Sequence, residues 1–184
     1  MQSGRSPSVM SNRSLNLLEH GTWRVDHSRS SVGFLIRHMG VATVRGRFSS
    51  FGGRIEVTED GLRADAVIDV GSVDTGDRIR DQRLRNEFFD AERFPAMALR
   101  IERVGGTPGG DWLLRTEITI RGVTRPVELH ASVEPIDDGT VRLRADGRIR
   151  RTDFGLDWDA LRNGTRMLVA DRVRLTADAV LRRA

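Results

Sequence analysis

The sequence contains no Cys, no Tyr and no Lys, and each absence excludes a class of site. Without Cys there is no thiolate nucleophile, no Cys-ligated metal and no disulfide framework. Without Lys, the glycine-rich segment 105–110 cannot form the phosphate-binding loop Gly-x4-Gly-Lys-Ser/Thr, so nucleotide hydrolysis is excluded. All 30 basic residues are therefore Arg, which stays protonated at any ordinary pH.

Long apolar runs are also missing. No segment approaches the roughly 18–20 consecutive apolar residues of a membrane helix, and the N-terminus lacks the apolar core of a secretory signal. We therefore expect a cytoplasmic protein without stable membrane insertion. Residues 1–20, rich in Ser, Arg and Asn, are interpreted as a flexible tail that precedes a single domain over residues 21–184.

The charge is nearly balanced, at a formal net value of +4. Arg alternates with Asp and Glu along most segments, which is typical of a mixed solvated surface rather than a nucleic-acid-binding stripe. No nucleic-acid partner is predicted. The alternative, an arginine-driven nucleic-acid binder, would show steeply salt-dependent retention on duplex DNA.

Apolar and polar residues alternate with a period of two through most of the chain, as in half-buried β-strands. The alternation predicts about eight strands joined by short turns such as Asp60-Gly61 and Asp138-Gly139, and hence an antiparallel meander. Many inward positions hold Ala or Gly, which leaves volume inside the fold for one small ligand. The residues alone leave open whether the sheet closes into a barrel or splits into a sandwich.

One segment, residues 77–89, is predicted to be helical. Asp74 or Thr75 is available as its cap, and Asp81 precedes Arg85 by four residues, the spacing of a helical ion pair. Its apolar stripe is thin.

Catalytic and metal-binding arrangements are not found. Asp26, His27 and Ser28 are triad residue types, but consecutive strand residues point to alternate faces and cannot converge. The four histidines lack metal-ligand spacing. We predict no catalytic residue, no metal and no cofactor.

Several motifs, in order along residues 21–184, resemble the YceI-like family of polyisoprenoid-binding proteins. They are Trp23 to Ser28, Val32 to Gly40, Val44 to Phe48, Ser72 to Thr75, Arg80-Asp81 with Leu84, Phe88 to Asp90 with Phe94-Pro95, Ile118 to Val127, and Arg151 to Gly155. Two positions depart from the family pattern: Thr116, where Gly is usual, and Ile101, where a small polar residue is common. Their bulk would alter the preferred ligand length if they face the lumen.

The resemblance implies an all-β fold, an eight-stranded antiparallel lipocalin-like barrel with one short helix at its mouth. It also implies non-enzymatic binding, storage or transport of an isoprenoid lipid, either a polyprenyl phosphate or an isoprenoid quinone. Sequestration of other lipophilic molecules such as antibiotics, and an enzyme that uses the same cavity, are the alternatives. A homodimer is a further expectation.

Strand parity and the resemblance together give the candidate ligand-binding residues. His38 shares the parity of the inward residues and is a candidate for the polar end of the ligand, while Arg78 and Arg80 are candidates for its head group. The candidate wall residues are Val32, Phe34, Ile36, His38, Val44, Phe48, Ile68, Phe88, Phe89, Leu99, Ile118, Ile120 and Leu129.

Overall fold

The computed structural model describes residues 18–38, 42–59, 61–106, 111–156 and 169–184. Residues 1–17 of the predicted tail and Asp60 of the predicted turn lie outside the described residues. The strands are β1 (Gly21–Val25), β2 (Ser31–His38), β3 (Ala42–Phe48), β4 (Phe51–Thr58), β5 (Gly61–Asp69), β6 (Val73–Asp74), β7 (Ala96–Gly106), β8 (Trp112–Ile120), β9 (Val123–Asp137), β10 (Thr140–Arg150) and β11 (Val169–Arg183). The helix α1 (Arg78–Arg83) continues as a π-helical turn, Leu84–Phe88, and short 3-10 turns occupy His27–Arg29, Val70–Ser72 and Arg151–Phe154.

The strands form a closed, antiparallel, eight-stranded barrel. A ring of β1, β4, β5, β7, β8, β9, β10 and β11 closes because β1 pairs with both β4 and β11. Trp23 marks the closure, since it lies opposite Ile55 on one side and Arg183 on the other. Closure leaves this ring without edges, which confirms the predicted barrel and decides against the sandwich.

Two of the eight strand positions of the barrel are occupied by a long strand with a break. The first consists of β1 and β2, which both pair with β11 and are separated by the turn His27–Arg29. The second consists of β3 and β4, which are separated by Ser49 and Ser50. Beyond the breaks, every residue of β3 pairs with β2 on one side, whereas on its other side β3 pairs with β6 only at Arg47 and Phe48. The barrel is therefore open beside β3, at the end we call the mouth.

The helix α1 lies next to this opening and is held by β6. The Arg85 guanidinium donates a hydrogen bond of 2.7 Å to the Val73 carbonyl oxygen of β6. The cap is Asp77, whose carboxylate accepts from the backbone N–H groups of Ile79 and Arg80 at 3.0 Å each. The proposed caps Asp74 and Thr75 are thus wrong, because the helix begins at Arg78, three residues later than a cap at Asp74 would require and two later than one at Thr75.

The predicted helical ion pair is also wrong. Asp81 is buried and accepts hydrogen bonds from the Thr75 backbone N–H and hydroxyl at 2.9 and 2.6 Å. Arg85 turns instead to the carbonyl oxygen of Val73. A tertiary contact has replaced the i,i+4 pair, which contributes only a few tenths of a kcal/mol in isolation (about 0.3).

A two-residue turn at Arg121-Gly122 joins β8 to β9 at the mouth. Both residues have positive φ, 49° and 74°, as the tight hairpin turn requires. The Arg121 side chain donates to the carbonyl oxygens of Phe88, at 3.2 Å, and Gly155, at 3.5 Å. One arginine therefore links the hairpin, the end of the helical segment and the loop after β10.

The end of the barrel opposite the mouth is filled by side chains. Leu114, Thr116 and Leu181 are among the most deeply buried residues, and Trp23 and Trp112 are each 2% exposed. Leu18 is also 2% exposed. The last residues of the predicted tail thus pack on the barrel, because an apolar side chain at position 18 gains by covering this end of the core.

Candidate functional site

The mouth half of the barrel encloses a cavity of about 390 Å³. Drug-sized and lipid-like ligands bind in cavities of roughly 300–1,000 Å³ with mostly apolar walls. The wall comes from β2, β3, β5, β7, β8, β9, β10 and β11, with α1 across the opening. Ile79, which is 68% exposed, also lines the cavity, so the cavity reaches solvent at α1.

The floor of the cavity lies between two neighbouring rows of the sheet. Leu99 and Ile118 face each other across β7 and β8 and line the cavity. The next pair on the same face of these strands is Ile101 and Thr116, and neither residue lines the cavity. The two residues that depart from the YceI-like pattern are therefore direct cross-strand neighbours, placed just below the deepest wall residues on β7 and β8.

Glycines make room for two of the largest wall residues. Phe34 lies opposite Gly46, and a Cβ at Gly46 would be 2.2 Å from its Cζ. Leu129 lies opposite Gly147, and a Cβ there would be 2.5 Å from Leu129 Cδ2. The large side chains thus lie over glycine backbone and leave the middle of the lumen open.

All the candidate wall residues of the sequence analysis line this cavity. Their contact with a ligand stays a prediction. Further wall residues lie on β10 and β11 and at the mouth. They include Ala145, Ile149, Val173, Leu175, Leu84 and Leu156. Val173 and Leu175 carry the same period-two signal as the predicted residues, whereas Leu156 lies after a 3-10 turn and has no periodic signal in the sequence.

Aromatic rings connect the helical segment to the barrel wall. The centroids of Phe88 and Phe89 are 5.1 Å apart, and Phe89 lies 6.2 Å from Phe48, both with edge-to-face geometry. Phe48 is in turn 5.8 Å from Phe34. Such contacts stabilise by about 0.5–1.5 kcal/mol each beyond area burial. The rings fix the helical segment over the cavity as a packed part of its wall.

The arginines of α1 differ in their access to the cavity. Arg78 does not line it, while Arg80 and Arg83 do. Arg80 donates to the Thr75 hydroxyl at 2.8 Å and to the Thr75 carbonyl oxygen at 3.1 Å, so part of its donor set is used. Arg83 is exposed and has no hydrogen bond or ion pair with any described residue. The sequence does not distinguish Arg83 from Arg78 in this respect, because the side of a short helix that faces the opening depends on its cap.

The electrostatics at the helix start favour an ionised carboxylate. The hydrogen bonds from the backbone N–H groups of Arg80 and Ile79 hold the pKa of Asp77 below its usual value despite some burial. The carboxylate lies on the cavity lining close to Arg80.

His38 brings a polar group to the cavity wall. It lies at the mouth end of β2, opposite Ala42 and Val169, and its Nε2 is buried without a hydrogen-bond partner among the described residues. A buried nitrogen of this kind costs free energy unless a partner satisfies it. His38 thus brings an unsatisfied nitrogen to the cavity wall, and its contact with the polar end of a ligand stays a prediction.

A partly exposed ion pair stabilises the rim near the start of β11. Asp171 accepts from Arg150 Nε at 2.7 Å and from the backbone N–H and hydroxyl of Thr152 at 3.1 and 2.8 Å. Desolvation raises the pKa of Asp171, but these hydrogen bonds outweigh it and bring the pKa to about 2. The contact ties β10, β11 and the 3-10 turn together.

The residues of triad type form a local cap. Asp26 Oδ1 accepts from the backbone N–H of Ser28 at 3.1 Å and from its hydroxyl at 2.6 Å. His27 turns to Phe51 instead, with ring centroids 5.6 Å apart. Within the described ranges no group of His, Asp and Glu side chains is arranged to hold a metal ion, and no helix is long and apolar enough to cross a membrane.

The model of the YceI-like domain family matches residues 23–181. The chain belongs to the YceI-like family. A protein YceI from Salmonella arizonae is 31% identical over 137 residues, covering 70% of this chain and 71% of that protein. The UPF0312 protein Ent638_1570 from Enterobacter sp. (strain 638) is 32% identical with the same coverage. The resemblance found in the sequence is thereby confirmed.

Solved structures agree with the YceI-like barrel. BcnA from Burkholderia cenocepacia superposes with a TM-score of 0.75 at 22% identity, over 85% of this chain and 98% of that chain. A polyisoprenoid binding domain from Saccharophagus degradans, implicated in plant cell wall breakdown, gives a TM-score of 0.74 at 19% identity, over 88% and 98%. At these identities the likeness establishes the fold.

Proposed function

We propose that this YceI-like barrel binds an isoprenoid lipid, a polyprenyl phosphate or an isoprenoid quinone, and stores or transports it without chemical change. The observation that carries the proposal is the cavity, whose wall is mainly Val, Leu, Ile, Phe, Met and Ala. A branched hydrocarbon chain gains about 0.8 kcal/mol for each buried methylene without any directional contact. The Saccharophagus degradans domain named above as polyisoprenoid binding supports the choice of ligand class.

The polar end of the ligand is assigned to the mouth. Arg83 is exposed on the cavity lining without a partner among the described residues, Arg80 lies one turn earlier, and His38 has a buried unpartnered nitrogen. Arginine suits a phosphate because its planar donors bind two oxygens together. A quinone carbonyl would accept from the His38 ring instead. Arg78, which does not line the cavity, is not part of this assignment.

The first experiment is native mass spectrometry of the purified protein, followed by organic extraction and identification of the released molecule. A bound mass with an isoprene repeat supports the proposal and identifies the cargo. A protein that is empty and takes up neither added polyprenols nor quinones contradicts it. A bound lipophilic molecule of another kind, such as an antibiotic, would favour the sequestration alternative, and turnover of the bound molecule would favour the enzyme.

Two neighbouring residues of β5 provide a matched pair of variants. Ile68 lines the cavity and is 7% exposed, whereas Val67 points outward and is 53% exposed. We expect Ile68→Glu to abolish lipid uptake and Val67→Glu to retain it, with folding of both checked by circular dichroism. Because a buried Glu can unfold a core, Ala145→Phe, which fills the cavity without adding charge, serves as a second blocking variant. Uptake by folded Ala145→Phe at the wild-type level would count against the lumen as the binding site.

A cytoplasmic location and assembly into a homodimer stay predictions. The edge of β3 from Ala42 to Gly46 has no strand partner among the described residues other than β2, and an edge of this kind can pair with a second copy. Size-exclusion chromatography with light scattering tests the dimer, and a monomeric mass across the concentration range would contradict it.

A further inference from the structure

The outer face of four adjacent strands carries a concentration of arginines near the mouth. The register places Arg45 of β3 opposite Leu35 of β2, Leu35 opposite Arg174 of β11, and Arg174 opposite Arg148 of β10. The next outward pair toward the mouth is Arg172 with Arg150. Like charges placed directly opposite one another on a sheet destabilise it. These pairs therefore oppose folding unless other charges compensate them.

The chain's own carboxylates compensate only part of this charge. Arg150 contacts Asp171 at 2.7 Å, and Arg174 contacts Asp146 at 3.4 Å. Arg47 of β3 contacts Asp74 at 2.7 Å. Four further arginines of this face near the mouth are exposed and form no ion pair or hydrogen bond with any described residue. We refer to these four as the arginine patch: Arg37, Arg45, Arg148 and Arg172.

The same strands are balanced farther from the mouth. Arg142 and Arg144 of β10 each contact both Glu134 of β9 and Asp178 of β11, with shortest distances of 3.2 and 2.8 Å. On β10 and β11 the excess of positive charge is thus confined to the half near the mouth. Arginines farther along the same strands are paired with carboxylates, so the excess does not follow simply from a high arginine content.

A second row of arginines, at the opposite end of the barrel, gives the same contrast. Arg24 of β1 lies between Arg182 and Arg54 in the register. Arg182 contacts Asp26 at 2.7 Å and Arg54 contacts Glu56 at 2.6 Å, so carboxylates neutralise both flanking residues. Arg148 and Arg172 also face arginines that carboxylates neutralise, Arg174 and Arg150. The difference is one of number, because the arginine patch gathers four arginines without an ion pair to any described residue, whereas the row at the opposite end has only Arg24 among the described residues.

An exposed apolar side chain lies at the opening, on the helix that follows the neighbour of β3. Ile79 of α1 is 68% exposed and lines the cavity, and α1 follows β6, which pairs with β3. The patch reaches the opening through Arg37, whose neighbour His38 lines the cavity. Cations beside an exposed aliphatic residue match the interface of an anionic bilayer, which attracts arginine electrostatically and takes up the apolar side chain.

We propose that the arginine patch and Ile79 form a docking surface for an anionic lipid bilayer, which places the cavity opening against the membrane. A nucleic acid would also provide phosphates, but it offers nothing to the exposed Ile79 or to the position of the patch beside an apolar opening. Docking in this way is peripheral and requires no membrane-spanning segment. It goes beyond the proposed function, because it depends on bilayer charge and not on the cargo.

The test is cosedimentation of the full-length protein with vesicles of phosphatidylcholine alone or mixed with phosphatidylglycerol, at low and high salt. We expect the wild type to bind only the mixed vesicles, and only at low salt, because exposed charges are screened. The double variant Arg148→Glu with Arg172→Glu is expected to bind at least about tenfold more weakly. Since the carboxylate introduced at position 148 would face Arg174, this variant gains a favourable cross-strand pair and should fold.

The matched control is Arg63→Glu with Arg115→Glu. Both arginines are exposed and without a partner among the described residues, but they lie on β5 and β8, away from the patch. Because the introduced carboxylates would face Glu56 and Glu128, circular dichroism must first show that this variant is folded. Each replacement lowers the charge by two, so both double variants take the formal net charge from +4 to 0. We expect the control to bind like the wild type.

Three results would overturn the docking surface. The first is that the wild type does not bind mixed vesicles, and the second is that both double variants lose binding equally. The third is that the wild type binds duplex DNA as strongly as mixed vesicles and that the Arg148→Glu, Arg172→Glu variant loses this DNA binding. The vesicles contain no isoprenoid, so failure of the proposed cargo would leave a positive result intact. Conversely, a protein that carries an isoprenoid but ignores anionic vesicles contradicts only the docking surface.

Discussion

The ring of Phe34 lies over the backbone of Gly46 on the neighbouring strand, so closely that a Cβ at residue 46 would be 2.2 Å from Phe34 Cζ. Gly46→Ala must therefore displace the ring. Overpacking of this kind costs about 1–3 kcal/mol, and we expect the free energy of unfolding to fall by that amount. Denaturant unfolding measures it.

The double-mutant cycle with Phe34→Leu isolates the contact. A smaller side chain at residue 34 leaves room for the added methyl group, so Gly46→Ala should cost much less in that background. An equal cost in both backgrounds would mean that the penalty comes from the strand backbone and not from the ring.

Thr116 is 2% exposed, and its hydroxyl has no hydrogen-bond partner among the described residues. Thr116→Val keeps the shape and removes the unsatisfied group, so we expect an unchanged or increased stability, by up to about 1 kcal/mol. Thr119 of the same strand is the control, because its hydroxyl is 2.8 Å from that of Thr124. Thr119→Val should lower the stability, and the same sign for both variants would contradict the prediction.

The pair of Ile101 and Thr116 predicts where the lumen ends. Thr116→Gly removes side-chain volume directly below Ile118, so under the proposed function we expect longer isoprenoid chains to be retained. Mass spectrometry of extracts after exposure to polyprenols of mixed length measures the shift. Thr119→Gly carries the same backbone change outside the cavity lining and should leave the length distribution unchanged.

Replacement of Arg83 and replacement of Arg78 are expected to affect the binding of an anionic ligand differently. Both are exposed on α1, but only Arg83 lines the cavity. We expect Arg83→Ala to weaken binding of a polyprenyl phosphate about tenfold, with little effect on the corresponding alcohol, since hydrogen bonds to charged groups contribute about 1.5–3 kcal/mol. Arg78→Ala should bind both as the wild type does, and a loss of the alcohol in Arg83→Ala would point to a purely structural role.

The pKa of Asp171, lowered to about 2, predicts a loss of stability in acid. Because the folded pKa lies below the unfolded value near 3.8, the ionised form stabilises the fold above about pH 4 and ceases to do so as the pH falls toward 2. With its side chain about one-third exposed, we expect roughly 1 kcal/mol. The unfolding free energies of wild type and Asp171→Asn should differ at about pH 6 and converge near about pH 2.

The wall of the cavity could be predicted from the sequence because strand parity alone decides which side chains face inward. Phe34, Ile68 and Ile118 needed no knowledge of their neighbours. The position of α1 needed more, since its cap and hence its orientation depend on the tertiary contact of Asp81 with Thr75. Which arginine of α1 lines the cavity therefore follows only from the structure, where Arg83 does and Arg78 does not.

Cross-strand relationships were beyond the sequence for a different reason. Periodicity gives the face of each residue but not the register between strands. That Ile101 opposes Thr116, or that Arg174 opposes Arg148, follows only from the pairing of β7 with β8 and of β10 with β11. The depth of the lumen and the arginine patch both depend on such pairs.

The closure of the ring also orders the events of folding. From β7 to β11, each strand pairs with the strand next to it in sequence, as hairpins can do early, but the partners of β11 also include β1 and β2, near the start of the described chain. Pairings so distant in sequence form slowly. During synthesis on the ribosome the wall must stay open along this seam until the last strand emerges, so a closed container exists only after translation of β11 is complete.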